Sequence, residues 1–154
     1  MGVYYENDDP EDRYECLKKL WEHFNRVRSW NLCIGGSDEL WNDKCCALTY
    51  DVLRVARELH YNAPNITMRL HRNSPERAWR EAAETIATGI GMPAIYNDEC
   101  VCPALEALGI PASDSHMYCM NGCNQIDIFG KSHMGLEDGE INMAKALEYT
   151  LHNG

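Results

Sequence analysis

Apolar residues along this chain alternate between helical and strand-like spacing. A helix is predicted from about residue 9 to residue 28, because apolar side chains recur there every three or four positions: Tyr14, Leu17, Trp21 and Phe24. Short apolar runs then predict strands at Leu32–Ile34 and Ile66–Leu70. A second helix is expected between these strands, from about residue 45 to residue 60.

The second half of the chain continues this alternation up to one hairpin. Further helices are predicted at about 75–88, 100–108 and from near 139 to the end, and strands near 94–96, 116–120 and 126–129. Before the last two strands there is no hairpin signal. This order predicts an α/β fold in which parallel strands are joined by helical crossovers.

The segment between the last two predicted strands carries a cysteine in a turn. Asn121 and Gly122 tolerate the backbone conformations that a tight reversal needs, so Cys123 is expected at the tip of a loop. A thiol held there can be presented to a pocket. The alternative is structural, since free cysteines are among the most frequently buried residues.

Composition and charge exclude several kinds of partner. The chain has 154 residues, of which 45% are apolar, enough for one domain with a core. A formal net charge of −10 disfavours nucleic acids and anionic membranes as partners. There is neither a secretion signal nor an apolar run of the roughly 18 residues that a membrane span needs. We therefore expect a cytoplasmic protein.

The chain has eight cysteines, which could indicate disulfides or a metal site. They fall on predicted helices and strands and no signal peptide precedes them, so reduced thiols are favoured. The metal alternative places zinc or an iron–sulfur cluster on four cysteines: Cys100, Cys102, Cys119 and Cys123.

Several motifs together resemble one enzyme family. Residues 89–98 read GIGMPAIYND, which resembles the G-x-G-x-P-x-x-F/Y-N-D segment of glycyl radical enzymes, the pyruvate formate-lyase-like family. Asp114, Tyr118, Gly122 and Cys123 resemble the family's active-site loop. Residues 35–38 resemble its Gly-Gly-x-Asp segment, although this chain has Trp41 where the family usually continues with glycine.

The resemblance implies a fold and a role for each matching residue. The fold would be part of the family's α/β barrel, and Cys123 would be the thiyl-radical cysteine that takes hydrogen from a small organic substrate. Six residues would bind substrate or support the loop: Gln125, Asp114, His116, Asn97, Asp98 and Arg69. Arg69 could face a substrate carboxylate or be ion-paired, and Asn97 and Asp98 could instead cap the next helix.

Two features of the loop depart from the family's patterns. Family members that eliminate water, amines or carbon dioxide usually place a glutamate two residues after the cysteine, where this chain has Gln125. An amide cannot act as a general base, so Asp127, Asp114 or His116 would have to substitute. Pyruvate formate-lyase itself uses two adjacent cysteines, whereas Gly122 precedes Cys123 here.

The family's glycyl-radical motif is absent from these residues. We therefore expect residues 1–154 to form a single partial domain, inactive alone, with no cofactor of its own. The glycyl radical would lie in a separate C-terminal domain, installed by a radical S-adenosylmethionine activating enzyme. Partners would be the substrate, the rest of the barrel, the activating enzyme and, in a homodimer, a second copy of the protein. The alternative is a catalytically silent homologue that acts as a binding module.

Overall fold

A computed structural model describes residues 5–29, 31–121, 125–132 and 142–152. In chain order, the elements are α1 (Pro10–Val27), β1 (Asn31–Gly35), α2 (Ala47–Leu59), β2 (Asn65–Leu70), α3 (Glu76–Ala87), β3 (Ala94–Asn97), α4 (Asp98–Ala107), α5 (Ala112–Ser115), β4 (Tyr118–Asn121), β5 (Gln125–Ile128) and α6 (Met143–His152). Among these ranges, no helix is long and apolar enough to cross a membrane.

The first three strands form a parallel sheet in the order β1-β2-β3. Cys33 pairs with Thr67, which pairs with Ala94 on the other side, and Gly35 pairs with Arg69. Helices α2 and α3 connect these strands in the chain. The prediction of parallel strands with helical crossovers is therefore confirmed.

One face of the sheet is covered by the first three helices. Apolar side chains of alternate strand residues, among them Ile34, Ile66 and Met68, pack with the buried faces of α1, α2 and α3. The helices contribute Tyr14, Leu17, Trp21, Val52, Leu53, Val55, Ala56, Ala78 and Ala82. The intervening residues, including Cys33, Thr67 and Arg69, consequently face the opposite side of the sheet.

The last two described strands form an antiparallel hairpin against that opposite side. Tyr118 pairs with Ile128, and Asn121 pairs with Gln125. Tyr118, Met120 and Ile128 pack together with Cys102 of α4 in a second apolar cluster. The hairpin therefore lies between the sheet and α4. Residues 122–124, and Cys123 with them, lie outside the described residues.

Local signals explain where most elements begin, but several boundaries differ from the predictions, among them the start of α6, which is Met143 rather than near residue 139. Helix α4 begins at Asp98 rather than near residue 100, because the Asn97 side chain accepts a hydrogen bond from the Glu99 amide and caps the helix. Strand β4 begins at Tyr118 rather than His116, since the short helix α5, which the periodicity did not predict, ends at Ser115 and His116 is its C-cap residue.

Candidate functional site

A buried ion pair lies where β2 ends and α4 begins. Arg69 donates from Nε to Asp98 Oδ1 and from Nη2 to Asp98 Oδ2, both at 2.9 Å. Their side chains are 7% and 0% exposed, so water screens this bidentate pair very little. Arg69 thus takes the ion-paired alternative within the described structure, and the fully buried Asp98 is its partner.

The same arginine holds the start of the hairpin. Its Nη1 donates to the main-chain oxygens of His116 and Tyr118, at 3.1 and 2.8 Å. The guanidinium also lies 3.8 Å from the centre of the Tyr118 ring, whose hydroxyl donates to Asp98 Oδ1 at 2.8 Å. One arginine therefore joins β2, α4 and β4.

The charges of this cluster shift its acidic groups in opposite directions. Burial opposes ionisation of Asp98, but the hydrogen bonds and charge of Arg69 outweigh it and hold the Asp98 pKa below its ordinary value. Burial and the Asp98 carboxylate raise the pKa of Tyr118. Asp98 is thus an anion and Tyr118 a neutral hydrogen-bond donor at neutral pH.

His116 belongs to this network through a serine. Ser37 Oγ lies 2.6 Å from Asp98 Oδ2 and 2.9 Å from His116 Nδ1. Because an ionised carboxylate only accepts, the Ser37 hydroxyl donates to Asp98, and His116 donates from Nδ1 to Ser37. The His116 ring also meets the Trp41 ring edge-on at 4.9 Å. Orientation of His116 is therefore fixed from two sides.

A cavity of about 500 Å³ opens beside this network. Its lining includes Ser37, Arg69 and His116, together with Lys44 and Met117. It lies at the carboxyl ends of β1 and β2, the edge of a parallel sheet where ligands usually bind. Its charged lining could hold a small polar molecule.

The hairpin runs away from this cavity toward the opposite end of the sheet. At the start of β4, Tyr118 contacts Arg69 near the end of β2, whereas the main-chain oxygen of Met120 accepts from Asn31 Nδ2 at 2.7 Å, at the first residue of β1. From His116 to Asn121 an extended chain covers roughly 16 Å. The Arg69 cluster and the residue 121 end of the hairpin are therefore separate sites. The Arg69 cluster comprises five side chains: Arg69, Asp98, Tyr118, Ser37 and His116.

Two polar residues of β5 lie at the residue 121 end. Gln125 Nε2 is 3.3 and 3.4 Å from the two carboxylate oxygens of Asp127, which is only 4% exposed. Strand alternation places both side chains on one face. Of the three residues proposed to replace the family's glutamate, Asp127 is thus on β5 itself, while Asp114 and His116 precede β4.

The remaining predicted site residues have structural contacts. Asp114 accepts from Lys131 Nζ at 2.6 and 2.7 Å, which ties α5 to the segment after β5. Asn97 caps α4, as described above. Both positions are near the Arg69 cluster in sequence and both are occupied by contacts within the chain.

Within the described ranges, one group of side chains has the composition of a metal site. Ligating atoms of Asp98, Cys102 and His116 lie within 4.8 Å of one another. Arg69 already neutralises Asp98, and burial with the Asp98 charge raises the Cys102 pKa to about 11, so the thiolate is scarce. These contacts disfavour a cation. Cys100 and Cys119 are not part of this group.

Comparison with known proteins identifies the family. A sequence model described as pyruvate formate lyase-like matches residues 18–154. The chain belongs to this family. Its relatives are glycyl radical enzymes, among them lyases and dehydratases, and structural relatives share the α/β barrel to which these elements correspond.

Three relatives illustrate the similarity. The chain is 36% identical over 121 residues to an isethionate sulfite-lyase of Nitratidesulfovibrio vulgaris, covering 79% of this chain and 15% of the relative. It is 27% identical to a trans-4-hydroxy-L-proline dehydratase of Clostridioides difficile, covering 100% of this chain and 22% of the relative. The crystal structure of a glycyl radical enzyme from Archaeoglobus fulgidus superposes with a TM-score of 0.79 at 28% identity, over 99% of this chain and 22% of that one. The chain thus spans less than a quarter of their length.

Sequence reasoning did not assign roles to two members of the Arg69 cluster. Ser37 is the variable position of the Gly-Gly-x-Asp segment, and it directly follows two glycines at the carboxyl end of a strand. Tyr118 was noted only for its resemblance to the family's loop. The available signal was that both residues lie beside motif residues. Their contacts with Asp98 span 61 and 20 positions of the chain, so local sequence patterns do not reveal them.

Proposed function

We propose that this chain supplies the catalytic-loop region of a glycyl radical enzyme, with Cys123 as its thiyl-forming residue. The observation that carries the proposal is the anchored hairpin: β4 and β5 pair antiparallel, so Asn121 and Gln125 are adjacent, and Cys123 falls between them in sequence. Arg69 and Asn31 fix the hairpin to the sheet, so Asn121 and Gln125, which flank Cys123 in the sequence, are held in place.

The residues of this chain would bind the substrate, orient it and protect the radical from side reactions. Cys123 would give up its thiol hydrogen atom and then receive one from a substrate carbon, a step that suits sulfur because its S–H bond is weak. A glycyl radical outside these residues would supply the initiating oxidation. Arg69 and Asp98 would act at a distance, by holding β4 in position.

The reaction class that fits best is a lyase or dehydratase acting on a small hydroxylated molecule. The proposal rests on the names of the similar enzymes, an isethionate sulfite-lyase and a trans-4-hydroxy-L-proline dehydratase. A lyase or dehydratase of this kind breaks a bond between carbon and a heteroatom, and this step requires proton transfer. Gln125 is unsuited to it because an amide cannot act as a general base. Asp127 is a carboxylate on the same strand as Gln125 and could act as the proton-transfer group.

Further components belong to the proposal. The rest of the barrel and the radical-bearing glycine would complete the enzyme, and an activating enzyme would install the radical. The complete enzyme would work in the cytoplasm as a homodimer. In support of a reducing compartment, seven cysteines among the described residues are free thiols. These 154 residues alone would be a single partial domain.

The test is Cys123→Ala in the native protein with its activating enzyme. We expect a glycyl radical signal by electron paramagnetic resonance and an unchanged circular dichroism spectrum, but at least a thousandfold loss of turnover on hydroxylated substrates. Cys16→Ala, at an exposed position of α1, is the matched control and should keep turnover. Unchanged function in Cys123→Ala would favour the alternative of a silent homologue that binds a partner.

A second experiment tests whether residues 1–154 suffice for radical formation and turnover. Purified residues 1–154, mixed with the activating enzyme, should give neither turnover nor a glycyl radical signal. A signal or product from this chain alone would contradict the assignment of the radical glycine to another segment.

A further inference from the structure

We propose that Trp41 is a latch that holds residues 36–44, the strap, closed over the cavity beside the Arg69 cluster. The strap follows β1 and supplies half of the residues that line the cavity: Ser37, Asp38, Glu39, Leu40 and Lys44. When the latch opens, the strap moves outward and the cavity becomes accessible to a ligand. This inference is independent of the proposed function, because none of these residues lies on the β4–β5 hairpin.

The strap is folded on itself and can move as one body. The Asp38 amide donates to the Asn42 main-chain oxygen at 3.1 Å, and the Lys44 amide donates to the Gly36 oxygen at 2.9 Å. The Asp38 carboxylate accepts from the amides of Leu40 and Asn42 and pairs with Lys44 Nζ at 2.9 Å. All of these contacts lie within the strap, so they are kept whether it is closed or open.

The strap begins and ends at one place, which provides a hinge. Gly36 and Lys44 are bonded to each other, so the two ends lie side by side. Gly35 and Gly36 have φ angles of +72° and +105°, a region that glycine occupies without strain. Contacts of Ser37 and Asp43 with the body of the protein lie next to these ends. A few terminal positions of this kind can absorb the backbone rotation of a moving loop.

The tip of the strap, residues 38–42, is joined to the body of the protein through Trp41. The Trp41 ring meets the His116 ring edge-on at 4.9 Å and lies 6.1 Å from the His71 ring. Its main-chain oxygen accepts from Asn73 Nδ2 at 3.1 Å. Within the part of the chain that the structure describes, every hydrogen bond, ion pair and aromatic contact between the tip and residues outside the strap involves Trp41.

Trp41 is held in a conformation that its own backbone disfavours. Its φ angle is +61°, in the left-handed region that bulky residues rarely occupy. Such strain persists only where surrounding contacts compensate for it. The edge-on contact with His116 and the hydrogen bond from Asn73 are contacts of that kind. The strain brings the closed and open states of the strap closer in free energy, which a latch requires.

The latch covers two histidine side chains. His71 is 1% exposed and His116 is 7% exposed. Nδ1 of His116 is bonded to Ser37, and Nε2 has no hydrogen-bond partner among the described residues. In a neutral imidazole that carries its hydrogen on Nδ1, Nε2 accepts a hydrogen bond. An open strap would thus offer this nitrogen to a ligand with a hydroxyl or amino donor.

The first experiment measures histidine accessibility in the native protein. Diethyl pyrocarbonate acylates accessible, unprotonated imidazoles, and peptide mass spectrometry gives the rate at each histidine. Trp41→Gly removes the ring and fits the left-handed backbone without strain. We expect the rate at His116 to rise at least tenfold and the rate at exposed His60 to stay unchanged. Leu40→Gly, at a tip position that is 77% exposed, is the matched control and should leave the His116 rate unchanged.

A second variant separates a latch from a ring that merely covers His116. Asn73→Ala keeps the Trp41 ring and removes the hydrogen bond to its main-chain oxygen. Loss of one such bond should shift the opening equilibrium and raise the His116 rate about fivefold. Because Asn73 is exposed, this variant also tests the latch if Trp41→Gly fails to fold.

Three results would overturn the proposal. A His116 rate in folded Trp41→Gly as slow as in the unaltered protein would show that Trp41 does not control access. An equal gain in Leu40→Gly would assign the effect to backbone flexibility of the tip. An unchanged rate in Asn73→Ala would show that the Trp41 ring covers His116 without holding the strap.

Discussion

Gly36 lies directly against the guanidinium group of Arg69. A Cβ at Gly36 would stand 2.9 Å from Arg69 Cζ, and the φ angle of Gly36 is +105°, which other residues rarely adopt. Glycine at this position is thus required by the arginine that holds β4. The sequence shows a glycine pair within the Gly-Gly-x-Asp segment, and the structure shows that the Arg69 side chain occupies the space that a Cβ at Gly36 would need.

Substitution of Gly36 should therefore disturb the Arg69 cluster. We expect Gly36→Ala to lower the free energy of unfolding by about 3 kcal/mol, from backbone strain and steric overlap together. Gly89→Ala is a matched control, since Gly89 has φ +82° but no atom within 4 Å of a Cβ, and should cost about 1 kcal/mol. Equal losses in urea unfolding of the two variants would contradict this explanation.

Loss of the buried carboxylate should be costly. Asp98→Asn leaves the guanidinium of Arg69 buried without its counter-charge, so we expect a loss of about 3–5 kcal/mol in stability. Glu99→Gln, one residue away and partly exposed, pairs with Arg72 at the surface and should cost less than about 1 kcal/mol. A loss for Asp98→Asn as small as for the control would show that the pair is not needed.

The same carboxylate makes stability depend on pH. Because the folded-state pKa of Asp98 is below its unfolded value of 3.8, its contribution is complete above that value and is lost as pH falls through the folded-state pKa. Unfolding free energy should thus decrease as pH is lowered below about 4. In Asp98→Asn the decrease should be shallower; an equally steep decrease would assign it to other carboxylates.

Thiol reactivity should separate the cysteines by environment. Burial and the neighbouring Asp43 carboxylate raise the pKa of Cys45 to about 12, and Cys102 is fully buried. Cys16 and Cys100 are exposed. Under brief iodoacetamide treatment at pH 8, peptide mass spectrometry should find Cys16 and Cys100 alkylated and the other two protected. Labelling of Cys102 as fast as that of Cys16 and Cys100 would indicate that the second apolar cluster opens readily.

Local features of the fold could be predicted from sequence, because their causes are close in the chain. Asp9 caps α1 ahead of Pro10, as the helix-start pattern indicates. Periodicity likewise located both strands that flank α2, to within a residue or two. The family resemblance, which rested on motifs of the same local kind, is confirmed by the family model that matches residues 18–154.

Contacts within the candidate site could be predicted less well, because they join distant residues. No periodicity relates Ser37 to His116, which lie 79 positions apart, or Arg69 to Tyr118. The four-residue helix α5 is also too short to leave a repeating apolar pattern. The role of Cys123 stays a prediction, since that residue lies outside the described part of the chain.

Strand β4 is attached at both of its ends to different strands of the sheet, to Arg69 of β2 and Asn31 of β1. Two attachment points define a line, so the hairpin cannot swivel about either contact alone. Residues beyond Asn121 can then be exchanged over evolution without changing the direction in which the hairpin extends. Changes at Gln125, on the partner strand, would accordingly leave the path of β4 across the sheet unaltered.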